Sequence, residues 1–363
     1  GQNILRIGAS SSIEPTDHVE ISEQLAAMLN AFASLERELT ELGARIELDQ
    51  KISGLLEGRL LDLRAITRRL VAVRHGLGLV LTPGEQAKRY VRWLERPGRG
   101  KRSNLVMAAA PIELGDLLVE SLFSRVETTT LTSATLATRG NFRFLKKRLG
   151  LNEEHLDKYN VNTDVAEHII LSPFDFRDQT ILAVPTDLPA AEDGLEEFYR
   201  AMGRVTEEVA NFSDGGLFLL FTSYSALISV GKLLRTAGID SRWPLFIQGE
   251  DDRYRLLRRF VDHGRGILLG TASFWEGVDV PGDPLRGLII QKLPFKVPTE
   301  PVTAARMNAA QEIGKDGFHE YMLPNAALRL KQGFGRLIRS KSDRGAVVLL
   351  DDRLVTKPYG RYL

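Results

Sequence analysis

Apolar side chains recur with the period of an α-helix over residues 20–77. Steps of four and three positions alternate, which keeps one apolar stripe on one face of a helix. The stripe consists of Ile21, Leu25, Met28, Phe32, Leu35, Leu39, Leu42 and Ile46, and then, in a new phase, of Leu56, Leu60, Leu63, Ile66, Leu70 and Val73. The phase changes near residues 49–54. Two amphipathic runs separated by a slip predict an antiparallel helical pair, with one long interrupted helix or an oligomeric coiled coil as alternatives.

Residues 83–160 change to short strand-like runs of apolar and β-branched residues. The pattern predicts strands at Tyr90–Leu94, Asn104–Ala110 and Thr128–Thr132. It also predicts helices at Leu114–Phe123 and Asn141–Leu149. This stretch therefore has a mixed composition that differs from the helical region before it.

From about Val165 onward, short apolar strands alternate regularly with amphipathic helices. The strands are predicted at Thr180–Val184, Gly216–Phe221, Leu245–Gln248, Gly266–Gly270, Gly287–Gln291 and Ala346–Leu350. The helices are predicted at Leu195–Phe212, Tyr224–Thr236, Tyr254–Val261, Thr303–Ile313 and Leu323–Arg339. Strands that are apolar on both faces indicate a parallel sheet covered by helices, so the fold class is α/β, doubly wound. Functional residues of such sheets lie in loops beyond the carboxyl ends of the strands.

Composition narrows the function classes only slightly. The 363 residues include 48 basic and 47 acidic side chains, and a net charge of +1 gives no general attraction to nucleic acid. The chain has no Cys, which excludes disulfides and thiolate ligation of metals or iron–sulfur clusters within it. No apolar run approaches the roughly 18 residues that span a bilayer. We therefore expect a cytoplasmic protein without a membrane partner.

Four segments near the ends of predicted strands carry candidate chemistry. They are Thr132–Leu136 (TSATL), Thr222–Tyr224 (TSY), Thr271–Asp279 (TASFWEGVD) and Gln332–Arg339 (QGFGRLIR). Each also has a purely structural interpretation. Clustered Thr and Ser are common as helix caps, paired Arg as a solvated helix face, and Gly277 as a turn residue.

The arginines of the last segment suggest phosphoryl-transfer chemistry. The planar guanidinium donates several hydrogen bonds at fixed charge, which suits the charge that develops on a transferring phosphoryl group. On the predicted helix, Arg336 and Arg339 lie one turn apart and Gln332 one turn earlier. Gly335 leaves room for a ligand or another domain to approach. The spacing predicts an arginine finger that completes a site built elsewhere.

These segments together resemble the helicase motifs of the DinG/XPD branch of superfamily 2. Gln332–Arg353 resembles the sixth motif, Leu269–Gly282 the fifth, Leu219–Tyr224 the fourth and Thr132–Leu136 the third. Lys292–Val302 and Ser172–Pro189 are also similar to DinG-like sequences. The motifs follow one another in the family's order.

The resemblance implies a domain organisation and an activity. Residues 1–82 would form the helical arch, 83–160 the end of the first motor domain, and 161–363 the second RecA-like motor domain. The whole protein would couple ATP hydrolysis to unwinding of DNA, in the 5′ to 3′ direction. Its partners would be ATP, single-stranded or forked DNA, and the missing N-terminal half of the motor.

The resemblance also implies roles for individual residues. Arg336 and Arg339 would contact the γ-phosphate of ATP, and Gln332 would sense it. Further nucleotide contacts are implied for Glu276, Gly277, Asp279 and Gly335. Coupling between the domains is implied for Thr132, Ser133 and Thr135. DNA contacts are implied for Thr222, Ser223, Tyr224 and Ser273, with Phe274 and Trp275 stacking on bases or, as the alternative, lying in the core.

Two motifs that ATP hydrolysis requires are absent from these 363 residues. There is no G-x-x-x-x-G-K-[ST] loop to hold the phosphates and no DEAH sequence to hold Mg²⁺. We therefore expect the sequence to be part of a longer enzyme that binds ATP and Mg²⁺, with no ATPase activity in this part alone. The alternative is a nucleic-acid- or partner-binding module with a helicase-like fold and no ATP turnover.

Overall fold

The computed structural model describes residues 3–7, 17–82, 86–96, 104–161, 163–189, 195–271, 274, 282 and 284–363. The chain divides into two compact units. The first consists of Gly1–Leu114 with Val297–Gly314, and the second of Gly115–Lys296 with Lys315–Leu363. The predicted boundaries at 82/83 and 160/161 do not coincide with this division. Residues up to 114 pack with the helical region, whereas the rest of the second predicted segment packs with the sheet domain.

The first unit contains an antiparallel helical hairpin. Its helices are α1 Asp17–Leu48, α2 Gln50–Leu55 and α3 Glu57–Leu81. The carboxylate of Glu47 lies 2.7 Å from Arg64, and that of Glu36 lies 2.9 Å from Arg74. A residue earlier in α1 thus pairs with a residue later in α3, which requires the two helices to be antiparallel. The predicted helical pair is therefore confirmed. Asp49 accepts hydrogen bonds from the amides of Lys51 and Ile52, which caps α2 at the predicted phase change.

The first unit also contains a three-stranded antiparallel sheet in the order β1-β2-β3. The strands are β1 Asn3–Ile7, β2 Tyr90–Arg96 and β3 Val106–Pro111. The sequence pattern predicted β2 and β3 but not β1. A helix distant in sequence, Pro301–Glu312, belongs to this unit. Its Arg306 Nε donates to the carbonyl of Ile112 at 2.8 Å.

The second unit is built on a six-stranded parallel sheet in the order β4-β9-β8-β5-β7-β6. The strands are β4 Thr180–Ala183, β5 Leu217–Phe221, β6 Leu245–Ile247, β7 Ile267–Thr271, β8 Gly287–Ile290 and β9 Gly345–Leu349. Every residue of β5 and β8 is buried, as expected for strands that are covered on both faces. The predicted doubly wound α/β fold is confirmed, and each end of the six strands differs from its predicted position by at most one residue.

Helices cover both faces of this sheet and enclose two apolar clusters. The helices and helical turns of the second unit are Gly115–Leu118 continuing through Val119–Phe123, Arg143–Leu149, Glu153–Lys158, Phe176–Gln179, Leu195–Ser213, Tyr224–Thr236, Ile239–Ser241, Arg253–His263, Phe318–Met322 continuing through Leu323–Phe334, Arg353–Thr356 and Pro358–Tyr362. One cluster packs around Phe218, Phe260 and Leu268. The other packs around Met202 and Trp243. In the part of the chain that the structure describes, no helix has the length and apolar character needed to cross a membrane.

Two predicted elements differ from the structure. Residues Thr128–Thr132 were predicted as a strand but are irregular and exposed. A β-prone run becomes a strand only when its backbone groups pair, and no described strand lies beside it. The last predicted helix, Leu323–Arg339, ends at Phe334. Gly333 and Gly335 at its end have low helix propensity, so the chain turns there.

Candidate functional site

Polar side chains link neighbouring strands at the carboxyl edge of the parallel sheet. Gln291 follows β8 and its Oε1 accepts from the amide and hydroxyl of Thr222, which follows β5, at 3.3 and 3.4 Å. Gln248 follows β6 and its Oε1 accepts from the amide and hydroxyl of Thr271, at the end of β7, at 2.7 and 3.0 Å. Each glutamine satisfies backbone groups that the ladder leaves open where a strand ends. The strand ends from which two of the predicted functional segments start, at Thr222 and Thr271, are thereby held at one edge of the sheet.

A buried carboxylate links the ends of two further neighbouring strands, β8 and β9. Asp351 follows β9, is 6% exposed, and accepts from the amide of Leu293 at 2.8 Å. Arg353 donates to both oxygens of Asp351, at 2.7 and 2.6 Å. Burial alone would raise the pKa of Asp351, but these hydrogen bonds and the charge of Arg353 hold the pKa below its ordinary value. Ionised Asp351 therefore connects the loops after β8 and β9 through hydrogen bonds.

The predicted DNA-contacting segment after β5 lies exposed on this edge. Thr222, Ser223, Tyr224 and Ser225 are all exposed, and the Tyr224 ring is half accessible. Ser223 Oγ accepts from the amide of Ala226 at 3.2 Å and caps the helix Tyr224–Thr236. Ser223 therefore caps this helix, and its DNA contact stays a prediction. The Tyr224 hydroxyl donates to the carbonyl of Gln248 at 3.2 Å, which fixes the ring beside the N-terminus of that helix.

The third and sixth sequence motifs, far apart in the chain, meet in the second unit. Gln332 Nε2 donates to Thr135 Oγ1 at 3.3 Å across 197 positions of sequence. Ser133 Oγ lies 3.1 Å from the same hydroxyl and accepts from the Thr135 amide at 3.2 Å. Thr132 is exposed in the same segment. Thr135 thus adjoins the last turn of the helix Leu323–Phe334, and Ser133 is bonded to Thr135.

Arg336 and Arg339 do not share a helix face, which corrects the prediction. Both are half-buried; Arg336 lies in the turn that follows Phe334, and Arg339 lies in the loop after that turn. The Arg336 amide donates to the carbonyl of Gly333 at 3.0 Å. Their spacing is set by this turn and by the loop after it, so the geometry of one helical turn does not apply to them.

Asp343 shapes the loop that holds Arg339. Its carboxylate accepts from the amides of Arg339 and Ser340 at 2.7 and 2.8 Å, and from the Ser340 hydroxyl at 2.6 Å. Burial raises the pKa of Asp343, but the hydrogen bonds outweigh it and leave the pKa below the ordinary value. The buried Gln179 donates to the carbonyls of Ser340 and Asp343 at 2.9 and 3.0 Å. The loop that carries Arg339 is therefore held by both Asp343 and Gln179.

The backbone geometry at Gly335 is compatible with its predicted nucleotide contact but does not require a glycine. It has ordinary right-handed backbone angles and is exposed. A Cβ there would lie 3.3 Å from the carbonyl of Lys331, a close contact within its own helix. An alanine would need only a small adjustment, so backbone geometry does not demand glycine.

The fifth motif lies mostly outside the described residues. Ser273, Trp275, Glu276, Gly277 and Asp279 belong to this part. Phe274 is described and is 3% exposed, within the apolar cluster of the sheet. Its ring has no free face for a base, so the prediction of stacking by Phe274 is wrong and the core interpretation holds.

The described side chains fit a phosphate better than a metal ion. Guanidinium groups such as those of Arg336 and Arg339 donate to phosphate oxygens. Over the described ranges, no group of three or more His, Asp or Glu side chains is arranged to hold a metal.

Sequence reasoning missed the residues that organise this edge. Gln248, Gln291, Asp343 and Asp351 were not among the predicted site residues. A signal was present, because Gln248, Gln291 and Asp351 each follow an apolar strand directly or within two residues. A polar side chain in that position satisfies the backbone where pairing ends.

Comparison with known proteins places the sheet domain in a helicase family. A family model described as a helicase C-terminal domain matches residues 206–363. The chain is 35% identical over 272 residues to the 3′-5′ exonuclease DinG of Bacillus subtilis, covering 74% of the chain and 28% of that protein. It is 34% identical over 334 residues to the ATP-dependent DNA helicase YoaA of Escherichia coli, covering 92% of the chain and 49% of that protein. The chain thus spans less than half the length of these relatives.

Solved structures show the same fold at low sequence identity. A structure titled XPD helicase aligns with a TM-score of 0.53 at 13% identity, covering 86% of this chain and 54% of that one. The structure of S. tokodaii Xpd4 aligns with a TM-score of 0.50 at 15% identity, covering 84% of this chain and 55% of that one.

Proposed function

We propose that this chain, which belongs to the DinG/XPD-like family of superfamily 2 helicases, is the C-terminal portion of an ATP-dependent DNA helicase. The phosphate-binding loop and the Mg²⁺ ligands would come from an N-terminal half. The complete helicase, meaning both halves together, would turn over ATP and unwind DNA, with 5′ to 3′ polarity. The chain's share of the ATPase machinery would be Arg336, Arg339 and Gln332.

The observation that carries this proposal is the hydrogen bond between Gln332 and Thr135. An ATP-driven motor must transmit the state of the nucleotide to its DNA-binding surface. Gln332 lies beside the turn that carries Arg336, and its hydrogen bond to Thr135 links that turn directly to the Thr132–Leu136 segment, for which coupling is proposed. A module without ATP turnover has no need of such a connection.

In the proposed mechanism, ATP supplies a phosphoryl group whose negative charge grows at the transition state. Arg336 and Arg339 donate hydrogen bonds to that charge and neutralise it. Glu276, Gly277 and Asp279 of the fifth motif, with Gly335, would add nucleotide contacts. Gln332 detects the change and alters its bond to Thr135, and the Thr132–Ser133–Thr135 segment passes the movement on. The buried Asp351 and the two glutamines keep the edge of the sheet rigid meanwhile.

Removing the Gln332–Thr135 bond should uncouple ATP turnover from DNA. Gln332→Ala and Thr135→Val should each lower DNA-stimulated turnover of the complete helicase by about tenfold, the worth of one hydrogen bond of about 1–1.5 kcal/mol. The double variant should be no slower than either single variant, because both remove the same bond. Thr128→Val, at an exposed threonine of the same segment, is the matched control. Additive losses in the double variant would contradict the proposed link.

Single-stranded DNA should bind along the carboxyl edge through Thr222, Ser223 and Tyr224, with Ser273 and Trp275 as further proposed contacts. Helix N-termini and hydroxyl groups suit backbone phosphates, and the exposed Tyr224 ring suits a base. We expect weak binding of a labelled oligonucleotide that weakens further as salt rises.

Tyr224→Ala should lower this affinity by about tenfold or more, the usual worth of one stacked base. Phe212→Ala is the control, because Phe212 is 94% exposed but lies at the opposite edge of the sheet, before β5. Fluorescence anisotropy at two salt concentrations measures both variants. Equal losses for the two variants, or affinity that is independent of salt, would contradict the proposed DNA surface.

A further inference from the structure

The helical hairpin carries an apolar face that the fold leaves uncovered. Leu35 and Leu42 of α1 are 44% and 48% exposed, and Ile66 and Val73 of α3 are 56% and 52% exposed. Each pair is separated by seven residues, which is the repeat of a coiled-coil seam. We call these four residues the hairpin seam. Met28, 38% exposed, extends it by one further repeat.

The seam is exposed because α1 and α3 bury only part of their apolar stripes against each other. The two helices meet along a line that includes the Glu36–Arg74 ion pair and Gly43, where a Cβ would lie 3.6 Å from Leu63. On a helical wheel, Leu35 and Leu42 fall on one flank of the line along which α1 contacts α3. Ile66 and Val73 fall on the matching flank of α3. Both exposed rows therefore lie on the same face of the hairpin.

The seam residues also lie at matching heights. The contacts of Glu47 with Arg64 and of Glu36 with Arg74 fix the register of the two helices. In that register, Leu42 lies at about the level of Ile66, and Leu35 at about the level of Val73. The seam is thus two apolar layers, each with one residue from each helix.

The charges of the hairpin indicate which partner fits this face. Helix α1 carries seven acidic and two basic residues, whereas α3 carries two acidic and five basic residues. A second copy rotated about an axis parallel to the helices would place its α3 antiparallel to α1 at the same height. Acidic α1 would then face basic α3 twice. Rotation about an axis across the helices would instead bring the two acidic helices together.

The outer edges of the seam agree with the first arrangement. Glu38 and Arg45 lie on the outer edge of α1, and Asp62 and Arg69 on that of α3, all of them exposed. In the parallel-axis pairing, Glu38 lies at the height of Arg69 of the second copy, and Arg45 at the height of Asp62. Both edge pairs join opposite charges, which is the role of the edge positions in coiled coils.

We propose that the hairpin seam is a self-association surface, through which two copies of this chain form a four-helix bundle. The leucine, isoleucine and valine layers would supply its core. The Glu38–Arg69 and Arg45–Asp62 pairs would select its orientation. The proposal does not depend on ATP turnover or on DNA binding.

Sedimentation velocity over a range of protein concentrations tests this proposal. Wild type should dimerise reversibly, and Leu42→Glu should raise the dimer Kd by about a hundredfold, because each dimer then places two charges in an apolar layer. Ala44→Glu is the control, since Ala44 is exposed away from the seam and gains the same charge. Equal melting temperatures of the two variants verify folding. A chain that is monomeric at about 100 µM, or a dimer insensitive to Leu42→Glu, overturns the proposal.

Charge reversal tests the orientation. Glu38→Arg and Arg69→Glu should each raise the dimer Kd by about tenfold at low salt, and the double variant should recover most of the loss. The chain has no Cys, so Glu38→Cys combined with Arg69→Cys should give a disulfide-linked dimer on oxidation. A double charge variant weaker than both single variants, or the absence of the cross-link, overturns the two-fold arrangement.

Discussion

Replacing Arg336 with alanine in the complete helicase is expected to lower ATP turnover by about 10³-fold or more, while ATP affinity changes far less. Arginine fingers are worth about 10³–10⁵ in rate because they neutralise charge that appears only at the transition state. Lysine should rescue poorly, since it keeps the charge but loses the planar fork. Arg339→Ala should behave similarly. Single-turnover hydrolysis measures the effect.

The structure makes this variant suitable for the test. Arg336 is half-buried, but the turn that carries it is anchored by its neighbours Leu337 and Ile338, which are 3% and 1% exposed. Removing the guanidinium should therefore leave the fold intact, with a stability change of about 1 kcal/mol or less. Arg344→Ala is the matched control, because Arg344 is exposed and bonds only to carbonyls of its own loop among its described hydrogen bonds. Normal hydrolysis by Arg336→Ala would favour the alternative of a binding module without ATP turnover.

The chain on its own is expected to show no DNA-stimulated ATP turnover, that is, less than about 1 s⁻¹, the low end of ordinary enzymes. Its 363 residues contain no G-x-x-x-x-G-K-[ST] sequence, the loop whose backbone amides cradle the phosphates in such enzymes. An arginine finger stabilises a transition state only where the nucleotide is already held. A coupled-enzyme assay with and without single-stranded DNA makes the measurement.

A contaminating ATPase is the main confounder of this measurement, and Arg336→Ala identifies it. Residual turnover that is equal in wild type and in Arg336→Ala does not come from this chain. Turnover above about 1 s⁻¹ that Arg336→Ala abolishes would contradict the expectation, because the chain would then hold a complete site. The same preparation can be tested for binding of single-stranded DNA, which should persist.

The α/β fold was predictable because its strands are short apolar runs of a kind that only burial on both faces explains. LFLLF of β5 and LII of β8 are fully buried as predicted. Short-range features were predictable too. Ser223 caps its helix, and the phase change at Asp49 coincides with a helix cap. These features depend on residues within one helical turn of each other.

The predictions failed where distant residues decide the outcome. The run Thr128–Thr132 has β-prone residues but no described neighbour to pair with, and the strand β1 forms because β2 lies beside it. Phe274 is buried because the apolar cluster of the sheet receives it. The arginines leave the helix because Gly333 and Gly335 weaken its end and Asp343 captures the following amides. None of these partners is visible from local periodicity.

The sequence by itself determined the two amphipathic helical runs, the parallel sheet and the family, because periodicity and short motifs are local properties of the chain. Only the tertiary structure decided which residues meet. It joined Gln332 to Thr135 across 197 positions, linked the strand ends through Gln248, Gln291 and Asp351, and left the hairpin seam uncovered. An apolar stripe specifies that a helix face must be buried, but its register against a neighbour determines how much of that face remains exposed.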